Sequence, residues 1–223
     1  MIVEGLILIE DYRNTKYCSK LEKLAEKKKA VKERILIEHS RAEDMHTYVS
    51  KDYKTDFLKA YNWKCAYCGV SIDIISIGMF EIDHFIPKSS AQFNNSKAKA
   101  GYIENLVLSC QFCNRRKGNI ELPTEDHDKI NPDGTGICKS FIRDDEYYIK
   151  ISDEFSNNKS VQAFYNGLNL GSSLHRIDYL LMNMRGLKEK VGTSSPAFGG
   201  LSIAIDLLQK KRNTFVGKEK VTI

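Results

Sequence analysis

Two Cys-x-x-Cys pairs, Cys65/Cys68 and Cys110/Cys113, bracket an Asp83-His84 dipeptide. A two-residue gap lets both thiolates of a pair reach one ion from a tight turn. Two such pairs supply the four sulfurs of a tetrahedral structural Zn²⁺ site, which leaves no open position for reaction. The 41 residues between the pairs exceed what a simple zinc ribbon needs. That excess must itself be folded, pinned at its base by the metal.

The cysteines also bear on compartment. The apolar run Leu6, Ile7, Leu8 and Ile9 is flanked by Glu4, Glu10 and Asp11 with no basic region before it, so it does not read as a signal peptide. No stretch approaches bilayer-spanning length. The expected compartment is the cytoplasm, where six cysteines read as metal ligands and free thiols. Cys18 and Cys138 fall to the second group. A net charge of +5 only permits a polyanionic partner. The charge is uneven: residues 123–160 are net acidic and residues 161–223 net basic.

Apolar spacing predicts a short strand over residues 2–9, a helix over 17–37 and a second helix over 41–63. Within the cysteine segment, residues 79–85 read as a strand ended by Pro87, 88–104 as a polar loop and 105–109 as a second strand. A short helix follows over 111–117, stopped by Gly118-Asn119. Further on, 141–151 reads as a hairpin around Asp144, Asp145 and Glu146. Leu174, Ile177, Leu181, Met184 and Leu187 keep helical spacing behind an N-cap at Ser172 or Ser173. Leu201, Ile205 and Leu208 suggest a last helix, separated by breaks at Ser194-Ser195-Pro196 and Gly199-Gly200.

The segment between the pairs holds what phosphodiester hydrolysis requires. A water must lose a proton as it attacks phosphorus, and a cation must offset charge growing on the oxygens. A histidine near its ordinary pKa can take the proton at neutral pH. Asp83 and His84 end a strand, where adjacent side chains point to opposite sides. Asp83 could bind a hard cation while His84 faces the water. Asn114 follows the second cysteine pair directly, and its amide oxygen could be a second ligand. Asn105, 21 residues after His84, could position the histidine or the loop. Lys117 shares a helix face with Asn114 and can meet a phosphate, as can Arg115 and Arg116. His39, His46, His127 and His175 match no such position and read as surface or packing residues. Tyr67 and Trp63 read as packing around the metal.

Asp83-His84-x-x-Pro87, Asn105-Leu106 and Cys110-x-x-Cys113-Asn114-x-x-Lys117 together resemble the HNH nuclease family with zinc-binding cysteine pairs. The resemblance covers about residues 61–120. It implies an α+β fold: a small ββα-metal core over 61–122, flanked by a mainly helical extension at 1–60 and a loop and helical region at 123–223. It implies His84 as general base, Asp83 and Asn114 as ligands of a catalytic Mg²⁺ or Mn²⁺, and Asn105 as an orienter of the base. It implies a structural zinc on Cys65, Cys68, Cys110 and Cys113, with Arg115, Arg116 and Lys117 on nucleic acid. Asn at position 114, where many relatives carry His, shifts the metal preference toward Mg²⁺ or Mn²⁺.

A second resemblance, carried by Phe164-Tyr-Asn-Gly-Leu-Asn-Leu170 and the arginine-bearing helix behind it, is to HNH subunits of Septu-type and retron-linked anti-phage systems. It implies a partner ATPase and a role in defence. The expected activity is therefore metal-dependent endonuclease action on DNA ahead of RNA, without a membrane and with oligomeric state open. A tRNA-cleaving toxin and a non-catalytic zinc module that binds nucleic acid are the alternative readings.

Overall fold

The computed structural model describes residues 10–219 and is built of helices with two small antiparallel sheets. The strand expected at 2–9 lies outside the described residues. Helix α1 (Leu24–Glu38) buries Leu24, Lys28, Val31 and Ile35 on one stripe. Lys28 is tolerated there because its ammonium pairs with Asp133 and donates to the Glu104 carbonyl at 3.2 Å. The helix starts seven residues later than the spacing suggests, because Lys23 takes a left-handed conformation at φ 53°.

The helix expected over 41–63 is two short ones, α2 (Met45–Lys51) and α3 (Lys54–Ala60). The break falls at Asp52 and Tyr53, where the Tyr53 hydroxyl donates to Glu38 on α1 at 2.7 Å. A tertiary hydrogen bond here overrides helical continuity.

Strands β1 (Phe80–His84) and β2 (Leu106–Cys110) pair antiparallel, with Phe80 opposite Cys110 and His84 opposite Leu106. The segment between them is less loop-like than its polarity suggests. It contains two single turns of 3₁₀ helix and the one-turn α4 (Lys97–Ala100), capped by the Ser96 side chain. Helix α5 (Gln111–Lys117) leaves β2 directly and completes a ββα unit. Its start is capped by a metal-type ligand: the Cys110 sulfur accepts from the Cys113 amide at 3.5 Å.

The chain then forms α6 (His127–Ile130) and α7 (Gly136–Ser140), followed by a second hairpin of β3 (Phe141–Arg143) and β4 (Ile149–Ile151). Helix α8 (Lys159–Leu168) was not anticipated from spacing, although Val161, Phe164 and Leu168 bury on one face and Asn158 caps it. Helices α9 (Ser173–Val191) and α10 (Ala197–Glu219) pack on each other. Ser172 is the cap of α9, accepting from the His175 amide at 3.4 Å. Gly199 and Gly200 do not break the chain. They lie in the first turn of α10, where two glycines cost about 1 kcal/mol each relative to alanine and packing against α9 offsets it.

Candidate active site

The knuckle at residues 65–69 is held to the sheet by its backbone. The Ala66 amide donates to Leu108 of β2 at 2.7 Å, and the Gly69 amide closes the turn on Cys65 at 2.9 Å. Gly69 sits at φ +80°, and a Cβ there would collide with the Arg13 carbonyl. Only glycine satisfies both constraints. Arg13 clamps the same turn from outside, donating to the Ala66 carbonyl at 2.6 Å and to Pro132 at 2.7 Å.

This places Cys65, Cys68, Cys110 and Cys113 in one buried cluster, with all four sulfurs within 4.8 Å of one another. The Cys68 and Cys110 sulfurs are 3.8 Å apart. Tetrahedral Zn–S bonds of about 2.3 Å imply sulfur–sulfur edges of about 3.8 Å, so the donor set fits one Zn²⁺. His175, expected as a surface or packing residue, is buried against the cluster, its Nε2 4.0 Å from the Cys113 sulfur and its ring on Phe112. Burial pushes its pKa down to about 4.

Asp83 and His84 end β1 and look toward different elements, as alternation along a strand requires. Asp83 is buried and accepts from the Tyr67 hydroxyl at 2.6 Å. It also pairs with Lys117 of α5, whose Nζ lies 3.2 Å from Oδ2. Burial raises the Asp83 pKa, opposed by the Lys117 charge and the Tyr67 hydrogen bond. Lys117 thus departs from its expected place on a phosphate: it is 2% exposed and points inward, donating also to the His84 carbonyl at 2.7 Å. The cause is the acid on the facing strand, which sequence separation hides. Tyr67, read as packing, is the residue that ties the cysteine knuckle to Asp83.

Asn114 is turned toward Glu81, to which its amide donates at 2.5 Å. Gln111 donates to the same carboxylate at 3.2 Å. Glu81 and Asp83 share one side of β1, so α5 meets two carboxylates there. Glu81 was not singled out in the sequence, although its place two residues before Asp83 puts it on the same side. Two carboxylates and an amide oxygen suit a hard divalent cation.

Asn105 is buried and fully used. It accepts from the Ile86 amide at 2.8 Å and donates to the carbonyls of Ile86 at 3.0 Å and Ala100 at 2.9 Å. Its own carbonyl accepts from Phe85 at 2.8 Å. Of the two roles open to it, these contacts are with the loop leaving His84. The ring of His84 is buried and meets His46 of α2, centroids 4.7 Å apart and planes at 33°. Its pKa falls to about 3 through burial, with the positive surroundings of His46, Lys88 and Lys117 adding to it. Arg115 and Arg116 are exposed on α5, Arg116 over the Phe112 ring at 4.9 Å. Both line a groove of about 890 Å³ toward α9 and α10.

Among the described residues no helix is long and apolar enough to cross a membrane. No solved structure matches the chain significantly. The chain is similar to the Septu protein PtuB of Bacillus mycoides (strain KBAB4), 33% identical over 86 residues, which cover 35% of this chain and 28% of that protein. The match thus spans little more than a quarter of the relative's length. The family model described as HNH endonuclease matches residues 65–119, the stretch that holds both cysteine pairs, both strands and α5. Residues 65–119 are an HNH endonuclease domain within a longer chain.

Proposed function

We propose that this protein is a metal-dependent endonuclease that hydrolyses phosphodiester bonds of DNA, with His84 as the general base. The observation that carries the reading is how His84 is held. Asn105 fixes the backbone after it, Lys117 fixes its carbonyl and β2 pairs with its strand. A base that must meet a water in one geometry needs such a frame.

Burial keeps His84 neutral at pH 7 but makes it a weaker base than a histidine at its ordinary pKa, so the negative charge of bound phosphate must raise its affinity for the proton of an attacking water. In-line attack on phosphorus then breaks the bond to the 3′ oxygen, leaving 5′-phosphate and 3′-hydroxyl ends. Asp83 and Asn114 would hold a divalent cation, Mg²⁺ or Mn²⁺, with Glu81 on the same side of the strand. Such an ion, when bound, supplies positive charge against the non-bridging and leaving oxygens. For Asp83 to serve, Lys117 must share it, and its ammonium then lowers the negative charge gathered around the site. The four cysteines would hold Zn²⁺ that shapes the fold without reacting.

Arg115 and Arg116, exposed on α5, would meet backbone phosphates. Lys88 takes the role expected of Lys117: it is exposed, and its charge reaches both His84 and His46. Similarity to a Septu protein supports a role in defence, and in this reading the protein acts beside a partner ATPase. The segments before 61 and after 122 would then carry the partner surface.

The test is incubation of the wild type and His84→Ala with double-stranded DNA, single-stranded DNA and tRNA, in Mg²⁺ or EDTA. Mg²⁺-dependent nicking of DNA that falls by roughly 10²–10⁴-fold in the variant is expected. Cleavage of tRNA alone would move the substrate to RNA. Equal cleavage by His84→Ala would overturn the assignment of the base, and binding without cutting would favour a non-catalytic module.

A further inference from the structure

We infer that His46, outside the HNH segment, is a positioning residue for His84, its imidazole serving as the platform on which the ring of the base is held. The inference rests on His84 being the base. Its footing is geometric. The two rings lie 4.7 Å apart and tilted at 33°, within the centroid range over which neighbouring π-systems attract, and neither ring is on a mobile stem of long side chain.

The platform is itself fixed. His46 is the second residue of α2, and its backbone amide donates to the Gly101 carbonyl at 3.2 Å. Gly101 closes α4 in the segment between the strands. The Asp44 carboxylate, one residue before α2, sits where a Cβ on Gly101 would be, so the two segments approach at backbone distance. Ser50, one turn on, lies 3.5 Å from His46 Nε2. The HNH segment supplies the base, and among the described residues the ring that packs against it comes from the preceding helix, α2. Lys88 of the following loop and Asp44 are the charged groups that act on His46, and the Ile82 backbone of β1 hydrogen-bonds it, which ties the platform to the strand that carries His84.

A ring that only supports another ring contributes orientation, so its loss should lower kcat and leave KM for DNA in place. An aromatic pair of this kind is worth roughly tenfold in rate. The experiment compares His46→Ala, His46→Phe and His46→Asn on plasmid DNA with Mg²⁺, each also in the His84→Ala background. Expected are a roughly tenfold fall in kcat for the alanine and asparagine variants at unchanged KM, recovery of most of it by His46→Phe, and no further fall when His84 is already alanine. Three results would overturn it: full kcat in His46→Ala, a rise in KM alone, or a phenylalanine variant as slow as alanine. The last would mean that His46 acts through its nitrogens. Melting curves on the same variants separate positioning from folding: His46→Ala and His46→Asn should melt as the wild type does while turning over slowly, and a kcat loss that merely tracks lost stability would also overturn the proposal. If His84→Ala itself cut normally, the reading of the base would fail instead, independently of His46.

Discussion

Among the described residues two antiparallel hairpins of similar modesty, β1–β2 and β3–β4, are stabilised by opposite chemistry. A lone two-stranded sheet is marginal in water. The first is anchored by four thiols and by a buried acid–base pair, Asp83 with Lys117, closed by the Tyr67 hydroxyl. The second is anchored by rings: Phe141 of β3 packs edge-on against Tyr12 at 5.7 Å and stacks on Phe164 and Tyr165 of α8. Polar anchors fix direction and leave groups that can do chemistry. Aromatic anchors fill space and leave none. Tyr67 joins the two systems: its ring lies against Phe164 at 5.8 Å, and its carbonyl accepts from the Tyr12 hydroxyl at 2.5 Å. The C-terminal region thereby reaches the residue that holds Asp83.

The largest expected effect comes from the sulfur anchor. Cys65→Ser, or chelation of the metal, should unfold β1–β2, since binding energy at a structural zinc site is folding energy of roughly 10–16 kcal/mol. Amide exchange provides the check. Protection at Val107 and Leu108 should vanish while that at Ile149 and Ile151 largely persists. Equal loss in both hairpins would mean that they fold as one unit and that the contrast drawn above is only static.

Next is the buried pair. Lys117→Met alone should cost about 3–5 kcal/mol in urea unfolding, because Asp83 is left buried with the Tyr67 hydroxyl but no countercharge. Adding Asp83→Leu should recover most of that stability while abolishing cleavage. Phe164→Ala should cost a similar or slightly smaller amount, about 3–5 kcal/mol, but no second change to a polar group should repair it. A charged pair can be exchanged for apolar side chains of similar volume, whereas a missing ring leaves a cavity. The activity of Phe164→Ala sharpens the comparison further: through Tyr67 it should slow cleavage, though less than His84→Ala does.

These contrasts also explain what could be read from the chain before its structure. The cysteine spacing, the alternation at Asp83-His84 and the start and stop of α5 are local signals. The ββα unit, the sulfur cluster and the helix over 111–117 follow from them directly. The inward turn of Lys117 was not legible, because its partner lies 34 residues away on another element. His46 carries no motif, and only the packing of α2 brings it to His84. Glu81 could have been found by extending the period-2 reading of the strand backward by two. The split between α2 and α3 was invisible for a similar reason: Tyr53 leaves the helical path to reach Glu38, and propensity carries no trace of that bond.

The smallest predicted effect tests whether the acidic stretch ahead of α8 is more than solvated surface. Asp126 accepts from Lys129 at 2.5 Å, from Asn158 at 3.3 Å and from the Ser160 hydroxyl, so it ties α6 to the cap of α8. These partners hold its pKa down to about 2. A carboxylate depressed in the folded state stabilises that state above its unfolded pKa near 4, and the contribution is lost as pH falls toward the folded value. Wild type should therefore melt at a slightly higher temperature than Asp126→Asn at pH 7, and the gap should close between pH 4 and pH 2. Because the group is partly solvated, the difference is small, and added salt should narrow it. A gap that persists unchanged below pH 3 would show that Asp126 acts by hydrogen-bond geometry alone, and the aromatic hairpin would then owe nothing to charge at its edge.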